Sequence, residues 1–304
     1  MDVAIAIEGV TRRFGATVAV DNLSLEIAKG EIFALVGPDG AGKTSLMRLL
    51  CGALKVDAGS ITVDGIDAIA QPWRVQSTIG YMPQRFSLYP DLSLIENLRF
   101  FADIFGVGGR DFEPRANELL QEFDLAAFPG RLAEQLSGGM KQKLALACTL
   151  IHRPSTILLD EPTAGVDPLS RREFWRILYG INNRGTTILV STPYMDEAER
   201  ANRVAFVARG AVIACGTPSD LKRSLQGDVV EIACAQRGAA RRALGGDAVV
   251  RSVEIFGETL HALVPSSARA IPEISQRLRD AGIEDVRLRK IAPSLEDAFV
   301  AGLA

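Results

Sequence analysis

Gly37-Pro38-Asp39-Gly40-Ala41-Gly42-Lys43-Thr44 stands between the apolar run Ile32-Phe33-Ala34-Leu35-Val36 and a segment that places Leu46, Leu49 and Leu50 on one helical face. The spacing is G-x-x-x-x-G-K-S/T between a strand and a helix, and each element has a physical reason. Glycines 37, 40 and 42 let backbone N–H groups turn inward around phosphates, with Pro38, Asp39 and Ala41 completing the loop. Lys43 supplies a positive charge, Thr44 offers a hydroxyl to Mg²⁺, and the helix that Ser45 enters adds its positive N-terminal end. The loop therefore predicts a site for ATP.

A second stretch strengthens the first. Ile157-Leu158-Leu159 reads as an apolar strand that ends in Asp160-Glu161, two carboxylates at the C-terminal edge where open α/β sheets bind ligands. Taken alone the pair is a solvated acidic turn. Beside a phosphate loop, Asp160 is expected to hold Mg²⁺ and Glu161 to polarise an attacking water.

Leu136-Ser137-Gly138-Gly139-Met140-Lys141-Gln142 resembles the signature motif of the ATP-binding cassette (ABC) proteins, and it precedes the acidic strand as in that family. Ser137 can cap the helix that follows, with Gly138 and Gly139 exposing N–H groups at its positive end. Ile157-Leu158-Leu159-Asp160-Glu161-Pro162, Gln84 after Tyr81-Met82-Pro83, and Ala164-Gly165-Val166-Asp167 extend the resemblance over about residues 3–217. It implies an α/β fold of the P-loop NTPase class: a β-rich lobe, a RecA-like core and an inserted helical subdomain at about 86–153. It also implies ATPase activity and two cassettes paired head to tail. Each ATP, with Mg²⁺, would lie between the loop of one and Ser137, Gly138 and Gly139 of the other. On the same basis Gln84 would sense Mg²⁺ and the attacking water, acting beside Lys43 and Glu161, and Asp167 would act across the interface. Phe14 would stack on adenine, where the family often has Tyr; the alternative is a core Phe at a strand's end.

The rest of the chain fits this frame. Apolar runs at 3–10, 18–27 and 31–36 predict strands with turns at 13–17 and 29–30, and Gly59 to Val63 with Asp64-Gly65 predicts a hairpin. Helical patterns follow between Leu92 and Thr149, then strands at 155–160 and 186–192 flank a helix near Arg171 to Tyr179. After Pro218 the character changes. Strands at 229–235, 252–256 and 260–265 and an amphipathic helix at 267–281 predict a small α+β domain over 218–304, behind a cassette domain over 1–217.

Composition narrows the partners. Thirty-four Lys plus Arg against 37 Asp plus Glu give a formal charge of −3, so no general attraction to nucleic acid is expected. Cys51, Cys148, Cys215 and Cys234 show no paired spacing and are expected to be reduced, buried packing residues. The N-terminal stretch carries no secretory pattern, and no apolar run approaches the roughly 18 to 20 residues of a spanning helix.

One departure from the family stands out. Where it carries a histidine whose imidazole contacts the γ-phosphate, the sequence runs Ser191-Thr192-Pro193-Tyr194-Met195-Asp196-Glu197-Ala198-Glu199. Pro193 has neither a side-chain donor nor an N–H, and neither His152 nor His261 matches the position. Either the remaining contacts support hydrolysis, or this chain pairs with a second, different cassette whose histidine is intact; the heterodimer is the favoured reading. Phe86 to Gly106 and the ending Pro293-Ser294-Leu295-Glu296-Asp297-Ala298-Phe299 resemble exporter ATPases of the drug and multidrug class. The resemblance implies integral-membrane permeases as partners and a peripheral place on the cytoplasmic face of the cell membrane. Phe86 to Gly106 is where a permease would dock, though its Phe and Leu residues also suit simple packing. A regulatory cassette that barely hydrolyses ATP, and a ribosome- or DNA-acting ATPase, are the alternatives.

Overall fold

The computed structural model describes residues 2–85, 88–246 and 249–303. Contacts divide the chain into two units, Met1–Val212 and Ile213–Ala304. The first opens with β1 (Val3–Phe14), β2 (Thr17–Ala28), β3 (Ile32–Val36), α1 (Lys43–Leu50), β4 (Ala58–Val63), β5 (Ile66–Asp67), α2 (Pro72–Thr78) and β6 (Gly80–Met82). Three helices follow, α3 (Leu94–Ile104), α4 (Phe112–Glu122) and α5 (Gly138–Leu150). The chain then returns to β7 (Thr156–Asp160), α6 (Pro168–Asn182), β8 (Thr187–Thr192), α7 (Met195–Ala198), β9 (Arg203–Ala208) and β10 (Ala211–Gly216).

β2-β1-β4-β5 make a four-stranded antiparallel sheet, and the central sheet has the order β10-β9-β3-β8-β7-β6. Its strands β9, β3, β8, β7 and β6 are parallel. Every residue of β3, β7 and β8 is buried, so these strands are covered on both faces and read as continuous apolar runs rather than alternations. Phe33, Leu35, Leu158, Leu189 and Ala205 of this sheet pack with Leu46, Met47 and Leu50 of α1 and with Ile5, Ile7, Leu23 and Ile27 of the antiparallel sheet. One core thus fixes the loop between β3 and α1. β1 runs four residues past its expected end, because register shifts after Ile7, Val10 and Arg12 carry the pairing with β2 through to Phe14.

The helical segment appears where the periodicity places it, although Phe86, where the expected subdomain begins, lies outside the described residues. Ser93 and Glu96 form a capping box at the start of α3. Asn97, fully buried, accepts from Tyr89 N and donates to the carbonyls of Tyr89, Leu92 and Ser93 at 2.9–3.1 Å, so a single amide shapes the turn that leads into the helix. Leu144 to Cys148 of α5 are buried all round, and Lys143 reaches out of the core to Glu173 of α6 at 2.8 Å.

In the second unit, α8 (Pro218–Arg223) precedes β11 (Asp228–Ala233), α9 (Arg237–Leu244), β12 (Ser252–Phe256), β13 (Thr259–Val264), α10 (Ser267–Asp280) and β14 (Arg287–Ile291), with α11 (Leu295–Leu303) after them. From β11 to β14 the order is βαββαβ, and the sheet β12-β13-β11-β14 is antiparallel throughout, a split βαβ arrangement. Val230, Ile232, Leu260, Ala262, Leu244, Ile274 and Leu278 form its core. Asp228 of β11 accepts from the N–H and hydroxyl of Ser267 and pairs with Lys290 at 2.7 Å, which holds its carboxyl far below the usual range. The ending also has a local cause: Ser294 and Asp297 cap α11 reciprocally, and Asp297 pairs with His261 Nδ1 at 2.9 Å. Of the cysteines, Cys51, Cys148 and Cys234 are buried as expected and Cys215 is exposed, because it lies on β10, none of whose residues is fully buried.

Asn97→Ala leaves buried backbone groups unpaired and should destabilise the protein by about 3 kcal/mol, read as a lower urea midpoint with unchanged slope. Asp228 should contribute stability that is complete above its unfolded pKa, ~4, and is lost as pH falls toward the lowered folded value. Thermal melts of wild type and Asp228→Asn should therefore differ at pH 6 (roughly neutral conditions) and converge in strong acid.

Candidate functional site

The ends of β3, β7 and β8 lie side by side, with Val36 opposite Thr192 and Asp160 opposite Ser191. The loop from Gly37 therefore starts beside the two carboxylates. Its glycines answer to close neighbours: a Cβ on Gly37 would meet the Val207 carbonyl at 2.1 Å, and Gly42, at φ 104°, would meet the Ala19 carbonyl at 2.2 Å. Lys43 is only 4% exposed, donates to the carbonyls of Gly37 and Pro38 at 2.8 and 3.1 Å, and stands 3.4 Å from Glu161 Oε1. Its ammonium is thus curled back inside its own loop.

Thr44 Oγ1 donates to Asp160 Oδ1 at 3.2 Å, joining the start of α1 to the end of β7. Ser191 Oγ donates to the same oxygen at 2.6 Å and accepts from the Glu161 N–H at 3.0 Å. Gln84, just past β6, donates to Glu161 Oε2 at 2.9 Å. Glu161 adopts φ 49°, a left-handed conformation costly for a non-glycine residue and held here by two bonds from its N–H to Ser191. Lys43, Thr44, Gln84 and Glu161 line one cavity of about 330 Å³ with the loop residues Asp39 to Gly42 and Ser45. Ser191 was not singled out by sequence reasoning; its position at the end of an apolar strand beside the acidic one was the available signal.

The other expected residues lie outside that lining. Ser137 caps α5 by accepting from Met140 N, and Gly139 is pressed against α6, where a Cβ would meet Ser170 Oγ at 2.7 Å. Gly138 has open space. Asp167 caps α6 through the N–H groups of Leu169 and Ser170, both at 3.0 Å, and these bonds hold its carboxyl below the usual range. Phe14 is 45% exposed with the Arg12 guanidinium 4.7 Å from its ring centre, which removes the core reading and leaves a ring available at the surface. Both histidines are engaged elsewhere: His152 stacks on Phe105 and bonds the Ile79 carbonyl, and His261 pairs with Asp297 inside the second unit.

The donor set suits a hard divalent cation. Asp160 Oδ2 is buried with no protein partner, and its neighbours are the hydroxyls of Thr44 and Ser191. Oxygen ligands of this kind, beside a phosphate loop, fit Mg²⁺ rather than a metal that prefers nitrogen or sulfur.

Comparison with known proteins agrees with this geometry. The family model described as ABC transporter matches residues 20–164. The chain is 40% identical to the probable multidrug ABC transporter ATP-binding protein YbhF of Escherichia coli (strain K12) over 98% of its own length and 52% of that protein, so it spans about half the length of that relative. It is 38% identical to the daunorubicin resistance ATP-binding protein DrrA3 of Streptomyces coeruleorubidus, over 98% of its own length and 95% of the relative's. Among solved structures, the dimeric post-hydrolysis state of the ATP-binding cassette MJ0796 bound to ADP and Pi superimposes with a TM-score of 0.64, at 27% identity over 70% of this chain and 98% of that one. With a loop, acidic strand and signature in these places, and with similarity to DrrA3 from end to end, the chain belongs to the ATP-binding proteins of the ABC transporter family.

Proposed function

We propose that this chain is the ATP-hydrolysing subunit of an ABC exporter, working with separate membrane permeases. The observation that carries the reading is the convergence of Lys43, Thr44, Gln84, Asp160 and Glu161 on the end of one parallel sheet. The inward N–H groups of the loop and the Lys43 ammonium would hold the phosphates, with Lys43 exchanging its bonds to Gly37 and Pro38 for phosphate oxygens. Thr44 and Asp160 would hold Mg²⁺, which when bound neutralises phosphate charge and polarises the phosphoryl group. Glu161 is placed to accept a proton from the attacking water, and Gln84 fixes its second oxygen.

Ser137, Gly138, Gly139 and Asp167 lie away from this cavity, as a head-to-tail pair requires: each would complete the partner's site. Phe14 would offer its exposed face to adenine. Permease contact is supported by the exposed Tyr89, Phe100 and Ile104 on and beside α3, with the Tyr89 and Phe100 rings 4.5 Å apart. No helix among the described residues is long and apolar enough to cross a membrane, in keeping with a peripheral subunit on the cytoplasmic face. The names of the relatives, multidrug and daunorubicin resistance, favour export.

Pro193 favours a second feature. It leaves the end of β8 without a donor where the family has one, and the loss of one transition-state contact costs about 3 to 4 kcal/mol in comparable sites. The site at this chain's own loop is therefore slow, and the functional pair is a heterodimer in which this chain's signature serves a faster partner site.

Glu161→Gln should leave ATP affinity within about twofold and lower single-turnover hydrolysis by about a hundredfold or more, measured with Mg²⁺-ATP; wild-type hydrolysis no faster than that variant would overturn the reading. The purified chain alone should hydrolyse ATP slowly and be accelerated by a cassette with the histidine intact. Fast turnover without such a partner would remove the heterodimer.

A further inference from the structure

Asp160 and Glu197 are both carboxylates with no exposed surface. Asp160 belongs to the site described above, through Thr44 and Ser191. Glu197 lines no part of that site's cavity and sits on α7, four residues past Pro193. Its Oε1 accepts from Thr163 Oγ1 at 2.5 Å and lies 3.2 Å from Arg171 Nε; its Oε2 accepts from Thr192 Oγ1 at 2.8 Å. Thr192 Oγ1 in turn accepts from Tyr194 N at 3.1 Å, which closes the backbone around Pro193. Thr163 lies two residues past Glu161 and is itself buried. Arg171 stands in the first turn of α6, where its backbone N–H donates to the Asp167 carbonyl, and it lays its guanidinium over the Tyr194 ring at 4.2 Å.

A buried carboxylate is a poor way to gain stability. Its desolvation is costly, and an apolar side chain of the same volume usually packs as well. What this carboxylate provides is one acceptor group that meets three segments at once, Glu161 to Asp167, Ser191 to Tyr194 and the first turn of α6, and it adds to the bond between the Glu161 N–H and Ser191 Oγ. Glu161 needs such support, because its backbone is held at φ 49°. We propose that Glu197 is a positioning residue that sets the Glu161 carboxylate for hydrolysis, acting through the Thr163 and Thr192 hydroxyls. The inference rests on the hydrolysis reading above. It also gives the Pro193 position a role that needs no side-chain donor, since the clamp grips the residues on either side of it.

The test uses the full chain in single-turnover hydrolysis of radiolabelled ATP with Mg²⁺, protein in excess, together with ATP affinity from a fluorescent ATP analogue and a thermal melt. Glu197→Gln keeps the shape but loses an acceptor and the charge facing Arg171; Thr163→Val removes only the tether nearest Glu161. Both should lower the rate constant about tenfold with analogue affinity within about twofold, the scale on which small misplacements of catalytic groups act. In a Glu161→Gln background, adding Glu197→Gln should lower the rate no further, while any change in melting temperature persists in both backgrounds. A Thr163→Val or Glu197→Gln protein that hydrolyses at the wild-type rate overturns the proposal, as does a rate loss that merely follows the folded fraction or the analogue affinity, or one that persists without Glu161. Wild type no faster than Glu161→Gln overturns this proposal and the hydrolysis reading together.

Discussion

The alignment of β3, β7 and β8 is the constraint on which the site depends. These strands are parallel neighbours, with Val36 level with Thr192 and Asp160 level with Ser191, so the phosphate loop, the two carboxylates and the Ser191 hydroxyl leave the sheet on one line. A slip of one residue would turn every side chain to the other face and carry Asp160 away from Thr44. Register is secured by burial: all the residues of these strands are enclosed, and the apolar groups of α1 and of the antiparallel sheet fill the space against them. The chemistry at the sheet's end is thus paid for by packing several residues away.

Legibility in the sequence followed the same division. Central strands such as Thr156–Asp160 and Thr187–Thr192 are apolar on both faces, and the loop carries glycines at 37, 40 and 42 where the backbone demands them, so both were readable from residue order. β14 was not. Its Arg287-Leu288-Arg289-Lys290-Ile291 lacks a buried face and exists as a strand because it pairs with β11, where Arg289 meets Glu231 and Lys290 meets Asp228. The same holds for α9, which buries only Ala240 and Leu244, and for Asn97, whose hydrogen bonds depend on how the preceding turn closes. At the site, Lys43, Thr44, Asp160 and Glu161 could be named in advance. Ser191, Thr163 and Glu197 could not, because their importance lies in contacts between segments distant in sequence.

On the proposed head-to-tail pairing, the signature and the phosphate loop would be halves of two different sites carried on one chain. Ser137 and Asp167 each spend their oxygens on capping a helix, and Gly139 is flattened against Ser170, so the positive start of α5 and the turn before α6 are built as one rigid edge. Such an edge keeps its shape without a ligand. It is suited to meeting a surface already formed on another subunit rather than to folding around one.

The two carbonyls that crowd Gly37 and Gly42 set bounds on how this loop can vary. Val207 on β9 and Ala19 on β2 leave no volume for a Cβ at either end, and both belong to strands anchored in the core. The room for change therefore lies at the exposed positions 38 and 39 between the two fixed points, since Ala41 is packed into the core. Of these, Asp39 carries an exposed carboxylate at the cavity's rim, so the loop can change its charge and its fit to whatever faces it across the opening while the cradle behind remains the same shape.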